Sequence, residues 1–199
     1  MARSAGQLVT RSVCVFCGSA PGARPSYSAA ARELGRALAQ AGHTLVYGGG
    51  RLGLMGIVAD AVLAAGGRVV GVIPRMLIER ELAHPGLTRQ HVVTTMHERK
   101  TLMAEMSDAF VGLPGGMGTF DELVEIVTWA QLGLHAKPVV LANIDDYFAP
   151  LYVMLDNAVA EGFVTPKSRA YWQNAESVSS VMQILGKEGL GASASSGIS

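Results

Sequence analysis

Short apolar runs alternate with longer segments of helical periodicity along most of the chain. The apolar runs predict strands at residues 13–16, 44–47, 68–73, 91–94, 109–113 and 138–142. The longer segments predict helices at residues 26–40, 54–64, 96–106, 120–132, 147–160 and 178–185. The strands are nearly continuous apolar runs, which is typical of strands covered by helices on both faces. The pattern predicts one Rossmann-like α/β domain, with a doubly wound, mostly parallel sheet between two layers of helices.

The two ends of the chain differ from this central region. Residues 1–11 contain Arg3 and Arg11 but lack the apolar core of a signal peptide. Residues 189–199 consist largely of Gly, Ala and Ser, a composition typical of disordered termini. We therefore expect a flexible segment at 1–11, the α/β domain at 12–188 and a disordered tail at 189–199.

Composition narrows the classes of partner. The 199 residues include 16 Lys and Arg and 16 Asp and Glu, so the formal net charge is zero. Binders of nucleic acid or anionic membranes usually carry a clustered positive excess. No apolar run approaches the roughly 20 residues of a membrane span. We expect no nucleic acid and no membrane as partner, so that any anionic ligand must be bound locally. The 24 glycines remain to be explained.

Cys14 and Cys17 are the only cysteines, and both belong to the first predicted strand and its end. A zinc site would need further ligands, and a redox pair would lie at the start of a helix. We expect two reduced, buried thiols, no metal site and a cytoplasmic location.

A first glycine-rich loop follows the second predicted strand, with Gly48, Gly50 and Gly53 in the spacing of a dinucleotide fingerprint. The acidic residue that such a site needs after the next strand is missing, since Ile73 is followed by Pro74 and Arg75. Three interpretations remain open: a nicotinamide cofactor, close packing of helix on strand, and backbone approach to another nucleotide or sugar.

A second glycine-rich loop, residues 114–119, lies between a predicted strand and an amphipathic helix. Backbone N–H groups freed by Gly115, Gly116 and Gly118 can bind a phosphate at a helix N-terminus, and Thr119 can add a hydroxyl. The lysine of a nucleoside triphosphatase loop is absent, which favours a monophosphate. Thr119 and Glu122 also have the spacing of a capping box, so Glu122 is either a helix cap or a site residue.

A third segment opens the helix predicted at 96–106. Thr95 and Glu98 again have the spacing of a capping box, and Arg99 and Lys100 follow in the first turns. Cations are unfavourable near a helix N-terminus unless an anion lies in front of it. The two residues are therefore either a solvated basic pair or part of an anion site. His97 is expected at the surface.

These segments together resemble the Lonely Guy family of cytokinin-activating enzymes, once labelled lysine decarboxylases. The resemblance runs in order from about residue 12 to 172. It rests on segments that include the opening 15–19, the first glycine loop with 53–56, residues 71–74, 96–100, 114–119 with Glu122, and 128–133.

The resemblance implies a nucleotide-binding domain that hydrolyses the N-glycosidic bond of N6-substituted adenosine 5′-monophosphates, or of AMP. The products would be the free base and ribose 5-phosphate, with no cofactor. Matching the motifs makes Arg99 and Glu122 the catalytic pair. Substrate contacts are expected from the remaining motif residues: Glu81, Lys100, Gly116, Gly118, Thr119 and Thr128, together with Gly115, Asp121, Ser19, Gly49 and Met96.

The chemistry of these side chains agrees with that expectation. A carboxylate can stabilise the oxocarbenium character of the ribose or deliver water, and a permanently charged arginine can balance the anionic groups around it. The alternatives are a non-catalytic nucleotide-binding or single-strand DNA-binding module, an NAD-dependent oxidoreductase and a lysine decarboxylase using Lys137. The helix at 120–132 is apolar on more than one side, so we also expect a homodimer or higher homo-oligomer.

Overall fold

A computed structural model describes residues 11–78 and 83–191, and a seven-stranded sheet forms its centre. The strands are β1 Ser12–Phe16, β2 Thr44–Tyr47, β3 Arg68–Pro74, β4 Arg89–Val93, β5 Ala109–Gly112, β6 Val139–Ala142 and β7 Gln173–Ala175. The helices are α1 Pro25–Gln40, α2 Gly53–Ala64, α3 Met96–Glu105, α4 Met117–Gln131, α5 Ala149–Ala160, α6 Pro166–Arg169 and α7 Val178–Gly191. Most of the two terminal segments expected to be flexible, and Glu81, lie outside the described residues.

The strand order is β4-β3-β2-β1-β5-β6-β7, and all neighbouring strands are parallel. The chain builds outward from β1 to β4, then returns to the other side of β1 and builds outward again. The order therefore reverses between β1 and β5, where Phe16 lies in register with Gly112. Ligands of open α/β sheets bind at such a switch point, beyond the carboxyl ends of the strands.

The core lies on both faces of the sheet, as the continuous apolar strands predict. On one face, Val13 and Val15 pack in a cluster with side chains of α1, α2 and α7. On the other, Cys14 and Phe16 belong to a cluster with side chains of α3, α4 and α5. Both cysteines are buried, as expected, and they are not bonded to each other.

Every helix and strand predicted from the sequence is present, with bounds that shift by a few residues. Two short elements were not predicted, α6 and the edge strand β7, because the Gln173–Ala175 segment is not apolar. Helix α4 begins at Met117 rather than at residue 120, which changes the interpretation of Thr119 below. Among the described residues, no helix combines the length and the apolar character needed to cross a bilayer.

Candidate functional site

Three strand-to-helix loops meet at the switch point. The Gly18 N–H donates to the Pro114 carbonyl at 3.1 Å, joining the loop after β1 to the loop after β5. The Leu54 N–H donates to the Gly18 carbonyl at 3.0 Å, which brings in the loop after β2. A Cβ on Gly53 would lie only 2.3 Å from the Ser19 carbonyl carbon, so the loops touch backbone to backbone.

The first glycine loop is shaped by packing inside the protein. A Cβ on Gly48 would lie 2.1 Å from the Arg99 Nη2 atom, and one on Gly56 would lie 1.9 Å from the Arg51 carbonyl oxygen. Gly49 is buried with a φ of +81°, and its carbonyl accepts the His84 N–H at 3.0 Å. Of the three interpretations left open for this loop, the contacts favour close packing, and Gly48 in particular makes room for Arg99.

Arg99 is buried at the carboxyl ends of β2 and β3, with 4% of its surface exposed. Its Nε donates to the Val72 carbonyl at 3.2 Å and its Nη2 donates to the Gly48 carbonyl at 3.0 Å. Its Nη1 lies 3.8 Å from the sulfur of Met96, which is partly exposed. The interpretation of Arg99 as half of a solvated pair is therefore wrong, because strand-end carbonyls take the place of water around the guanidinium.

The start of α3 fixes where Arg99 points. Thr95 accepts the Glu98 N–H at 3.1 Å, and the Glu98 carboxylate accepts the Thr95 N–H at 3.3 Å, which confirms the predicted capping box. His97 is exposed, as expected. The cap satisfies backbone N–H groups at the start of α3 without help from Arg99. The Arg99 side chain faces the sheet instead.

Glu122 is half-buried in the second turn of α4. Its charge affects the pKa of the same buried thiol whose pKa the charge of Arg99 affects. Burial raises the pKa of Cys14 well above its ordinary value, the Glu122 carboxylate raises it further and the Arg99 guanidinium opposes that rise. Burial and then Glu122 also raise the pKa of Cys17. The two predicted catalytic side chains are 23 positions apart along the chain, and both lie close enough to β1 to affect the pKa of Cys14.

The second glycine loop has a packed half and an open half. A Cβ on Gly115 would lie 2.1 Å from the Oγ1 of Thr119, which is buried against it. At Gly116 and Gly118 a Cβ would meet nothing within 4 Å. The open glycines leave the first N–H groups of α4 accessible, and these groups have no acceptor within the helix itself.

The capping box predicted for Thr119 and Glu122 is wrong. Gly116 is the N-cap of α4, without a side-chain cap, and the Phe120 N–H already donates to the Gly116 carbonyl at 3.0 Å. Thr119 therefore lies inside the first turn, and its side chain packs on Gly115 instead of capping the helix. Glu122 is then not needed to begin α4, which strengthens its interpretation as a site residue.

Lys100 links α3 to α4 through two carboxylates. Its Nζ lies 3.0 Å from the Asp121 Oδ2 and 3.0 Å from the Glu125 Oε2. Burial alone would lower the pKa of Lys100, but hydrogen bonds and ion pairs with Glu125 and Asp121 raise it above its ordinary value. Lys100 and Asp121 are thus brought together, and they flank the Arg99 and Glu122 positions on their helices.

The remaining predicted contacts fall in different places. Ser19 is exposed and lines a cavity of about 200 Å³ at the switch point, together with Gly115 and Gly116. Thr128 does not lie with them: it is nine residues beyond Thr119, about 14 Å along the axis of α4. Its hydroxyl donates to the Val124 carbonyl at 2.7 Å, in a groove on the outer face of the helix.

Sequence reasoning missed Tyr147 as a site residue. Its ring forms part of the wall of the same cavity, and its hydroxyl donates to the Gly115 carbonyl. The available signal was its position just beyond β6, the strand next to β5. Within residues 11–78 and 83–191, no group of His, Cys, Asp and Glu side chains could hold a metal ion.

Comparison with known proteins gives a family and close relatives. The model of a family described as "possible lysine decarboxylase" matches residues 55–185. A rice protein named "Probable cytokinin riboside 5′-monophosphate phosphoribohydrolase LOGL5" is 54% identical over 159 residues, 80% of this chain and 65% of the rice protein. The chain thus spans a little under two thirds of that relative. The cytokinin riboside 5′-monophosphate phosphoribohydrolase of Rhodococcoides fascians is 52% identical over 161 residues, covering 80% of this chain and 81% of the other.

Among solved structures, a molybdenum cofactor binding protein from the phototrophic bacterium Rippkaea orientalis has the same fold. The TM-score is 0.68 over 92% of this chain and 99% of the other. Identity is 20%, so this likeness concerns the fold alone.

Proposed function

Because this chain belongs to the "possible lysine decarboxylase" or Lonely Guy family, we propose that it is a phosphoribohydrolase, as its curated relatives are named. It hydrolyses the N-glycosidic bond of adenosine 5′-monophosphates, N6-substituted or plain. The products are the free base, a cytokinin or adenine, and ribose 5-phosphate. The buried thiols are consistent with a cytoplasmic enzyme.

The observation that carries this proposal is that a buried Arg99, at the ends of β2 and β3, and Glu122, in the second turn of α4, both lie close enough to β1 to affect the pKa of Cys14. Burying a guanidinium is unfavourable unless hydrogen bonds replace its water. Strand-end carbonyls supply them, and Gly48, which has no Cβ, makes space for the group. A fold that holds a fixed positive charge and a carboxylate near the carboxyl ends of its strands is organised for chemistry on an anionic ligand.

The substrate phosphate binds at the start of α4. Gly116 and Gly118 let a phosphate approach the backbone N–H groups, and the helix dipole favours the anion. A single monophosphate needs no clustered lysines, so this site is compatible with the zero net charge of the chain. Phosphate bound here brings the ribose toward Glu122, whose side chain projects from the next turn of the same helix.

Glu122 is the main catalytic carboxylate. As the bond between the ribose C1′ and the purine nitrogen breaks, its electron pair leaves with the purine and positive charge develops on the ribose. Glu122 stabilises that charge and orients the water that attacks C1′. The water leaves its hydroxyl on ribose 5-phosphate and its other proton passes to the purine. Arg99 supplies fixed positive charge that balances phosphate, carboxylate and departing base.

Lys100 and Asp121 act on this site through the helices. Lys100 bridges Asp121 and Glu125, so it holds the α3 turn that carries Arg99 against the α4 turn that carries Glu122. The two carboxylates together carry twice the charge of the single Lys100 ammonium group. An incoming phosphate would compete with them for that group. We therefore assign Lys100 a positioning role in addition to the substrate contact expected from the family resemblance.

The active unit is a homodimer formed through the faces of α4 and α5. No residue of α5 is buried, although Val153 and Met154 are apolar and about 70% exposed. Val124 of α4 and Phe163, just beyond α5, are also exposed. A second copy of the chain would cover these side chains. It would also bring Thr128, which lies far from the glycine loop of its own chain, toward substrate bound to the partner.

The other interpretations fit the contacts less well. A nicotinamide cofactor would need the first glycine loop, where Arg99 and His84 already contact Gly48 and Gly49. A lysine decarboxylase would need a reactive amine in the crevice, but the Nζ of Lys137 donates to the Ala104 carbonyl at the end of α3, at 2.9 Å. A module that only binds nucleotides has no use for the Arg99 and Glu122 pair.

Removing the carboxylate charge tests the assignment of Glu122. We expect Glu122→Gln to lower kcat for isopentenyl-AMP by about a hundredfold or more, because one charged group facing the transition state is lost.

Arg99→Lys should also reduce activity strongly, since lysine lacks the fork that bonds two carbonyls. Glu33→Gln and Arg36→Lys, on the exposed side of α1, are matched controls that should retain full activity. Near-wild-type release of base by Glu122→Gln would rule out its catalytic role.

A further inference from the structure

Tyr147 lies between the carboxyl end of β6 and helix α5, and its hydroxyl donates to the carbonyl of Gly115. We propose that Tyr147 is a positioning residue that sets the second glycine loop in its phosphate-binding conformation. This inference rests on the proposed function of that loop. Its ring forms part of the wall of the cavity that Gly115 and Gly116 line, and its effect on phosphate binding passes through the bond to the loop backbone.

The loop can bind an anion only if its carbonyl oxygens point away from it. Two carbonyls precede the open glycines, and both accept hydrogen bonds from groups of the protein. The Pro114 carbonyl accepts the Gly18 N–H at 3.1 Å, and the Gly115 carbonyl accepts the Tyr147 hydroxyl. Without the second bond the Gly115 peptide could rotate, because no side chain restrains a glycine. Its negative oxygen would then face the phosphate.

Tyr147 is itself held by aromatic packing. Its ring meets Tyr27 of α1 edge-on, with centroids 5.7 Å apart, and meets Phe148 edge-on at 5.0 Å. It stacks on Phe120 of α4 at 6.5 Å, with an angle of 11° between the rings. These contacts fix the direction of the hydroxyl, and they connect α1, α5 and α4 around the cavity.

The turn that delivers Tyr147 adopts an uncommon backbone. Asp145 and Asp146 have φ values of 51° and 59°, in the left-handed region that is unfavourable for residues other than glycine. Contacts with the start of α1 hold this turn. The Asp145 carbonyl accepts a bond from the Arg24 guanidinium at 3.0 Å, and the Asp145 carboxylate accepts the Ser26 hydroxyl.

Strained backbone that the surrounding structure enforces is typical of functional sites. Here it places one tyrosine where it reaches the glycine loop.

The test is Tyr147→Phe, which removes the hydroxyl and keeps the ring. We expect KM for isopentenyl-AMP and AMP to rise about fivefold while kcat stays within about twofold, since one neutral hydrogen bond to the binding loop is lost. The dissociation constant of ribose 5-phosphate, measured by titration calorimetry, should rise by the same factor. Tyr152→Phe is the matched control, because among the described residues the Tyr152 hydroxyl has no hydrogen-bond partner.

The outcomes separate this inference from the proposed function. If the wild-type protein cleaves the nucleotides and Tyr147→Phe leaves KM and phosphate affinity unchanged, Tyr147 has no positioning role. An equal effect in Tyr152→Phe, or a fall in kcat at constant KM, would also overturn the inference. If the wild type binds ribose 5-phosphate but cleaves nothing, the proposed function fails, and weaker binding by Tyr147→Phe still supports the inference. A wild type that binds neither AMP nor ribose 5-phosphate overturns both.

Discussion

Gly48, which has no side chain, leaves space for the guanidinium of Arg99. The Arg99 guanidinium occupies the space where a Cβ of residue 48 would lie, and it bonds the carbonyl of that same residue. The glycine therefore admits the charge, and the carbonyl fixes it. The absence of a side chain at residue 48 thus gives one candidate catalytic side chain a fixed position.

Gly48→Ala should displace Arg99 and lower kcat/KM by about tenfold or more, because a methyl group 2.1 Å from Nη2 forces the guanidinium to move. The measurement is steady-state kinetics on AMP, together with the thermal unfolding midpoint. Gly186→Ala in α7 is the control, since its Cβ would meet nothing within 4 Å. Full activity in Gly48→Ala would contradict the proposal that Gly48 fixes the position of Arg99 for catalysis.

The sequence predicts some of these residue roles and not others. Thr95 and Thr119 have the same spacing to a glutamate, yet only Thr95 caps its helix. The difference arises because α4 begins early, at Gly116, and because the Thr119 side chain packs against Gly115. Both depend on packing that the local sequence does not show. The contact between Arg99 and Gly48 joins positions 51 residues apart, so no local pattern could reveal it. The family resemblance supplied the candidate pair, and the structure supplies the reason for its placement.

At the scale of elements, α3 and α4 bring the two candidate catalytic side chains to one place. Helix α3 follows the edge strand β4 and α4 follows β5, with three strands between them in the sheet, and Lys100 of α3 holds the two helices together through Asp121 and Glu125 of α4. The sequence predicts both helices, α4 from its amphipathic pattern and α3 from the capping-box spacing of Thr95 and Glu98. It does not predict β7 or α6, whose polar residues form structure only against β6 and α5.

The connection from α4 to β6 should make stability depend on pH through His135. Its Nε2 lies 2.9 Å from the Ile126 carbonyl and its Nδ1 accepts the Lys137 N–H at 3.1 Å, so the bonded ring is neutral. Burial lowers the pKa of His135; the bond to Ile126 opposes this, and the charge of Lys137 adds to the lowering. The unfolded chain therefore takes up this proton more readily than the folded chain does.

We accordingly expect the free energy of unfolding to fall as pH drops below about 6.5, the ordinary pKa of histidine. Burial also lowers the pKa of His43, which adds to the same trend. His135→Gln should reduce the slope between pH 7 and pH 5 in urea titrations. His97→Gln, at an exposed position, is the control that should leave the slope as it is. A slope unchanged by His135→Gln would contradict the argument.

At the scale of the whole molecule, the strand order places a crevice where the chain reverses direction across the sheet. The sequence predicts this architecture because strands buried on both faces leave continuous apolar runs. The sequence indicates surplus apolar surface on the helix at 120–132, but it does not show that α5 extends the same exposed face. In the structure that face consists of α4 and α5, where Val124, Val153 and Met154 are exposed.

The proposed dimer is tested by placing charge on that face. We expect Val153→Glu combined with Met154→Glu to halve the mass measured by light scattering after size exclusion, because buried unpaired carboxylates oppose association. Activity should fall with the dimer if Thr128 serves the partner's site. Val92→Glu, on the exposed edge strand β4, is a control at the other end of the sheet. A monomeric wild type would contradict the proposal.

In the proposed function, the protein binds the 5′-phosphate of a nucleotide and then hydrolyses its N-glycosidic bond. The most direct measurement incubates the wild-type protein with AMP, isopentenyl-AMP and the two corresponding ribosides, and separates the products by chromatography. We predict free base and ribose 5-phosphate from the monophosphates and no cleavage of the ribosides. Equal cleavage of the ribosides, or intact monophosphates after incubation, would contradict the account.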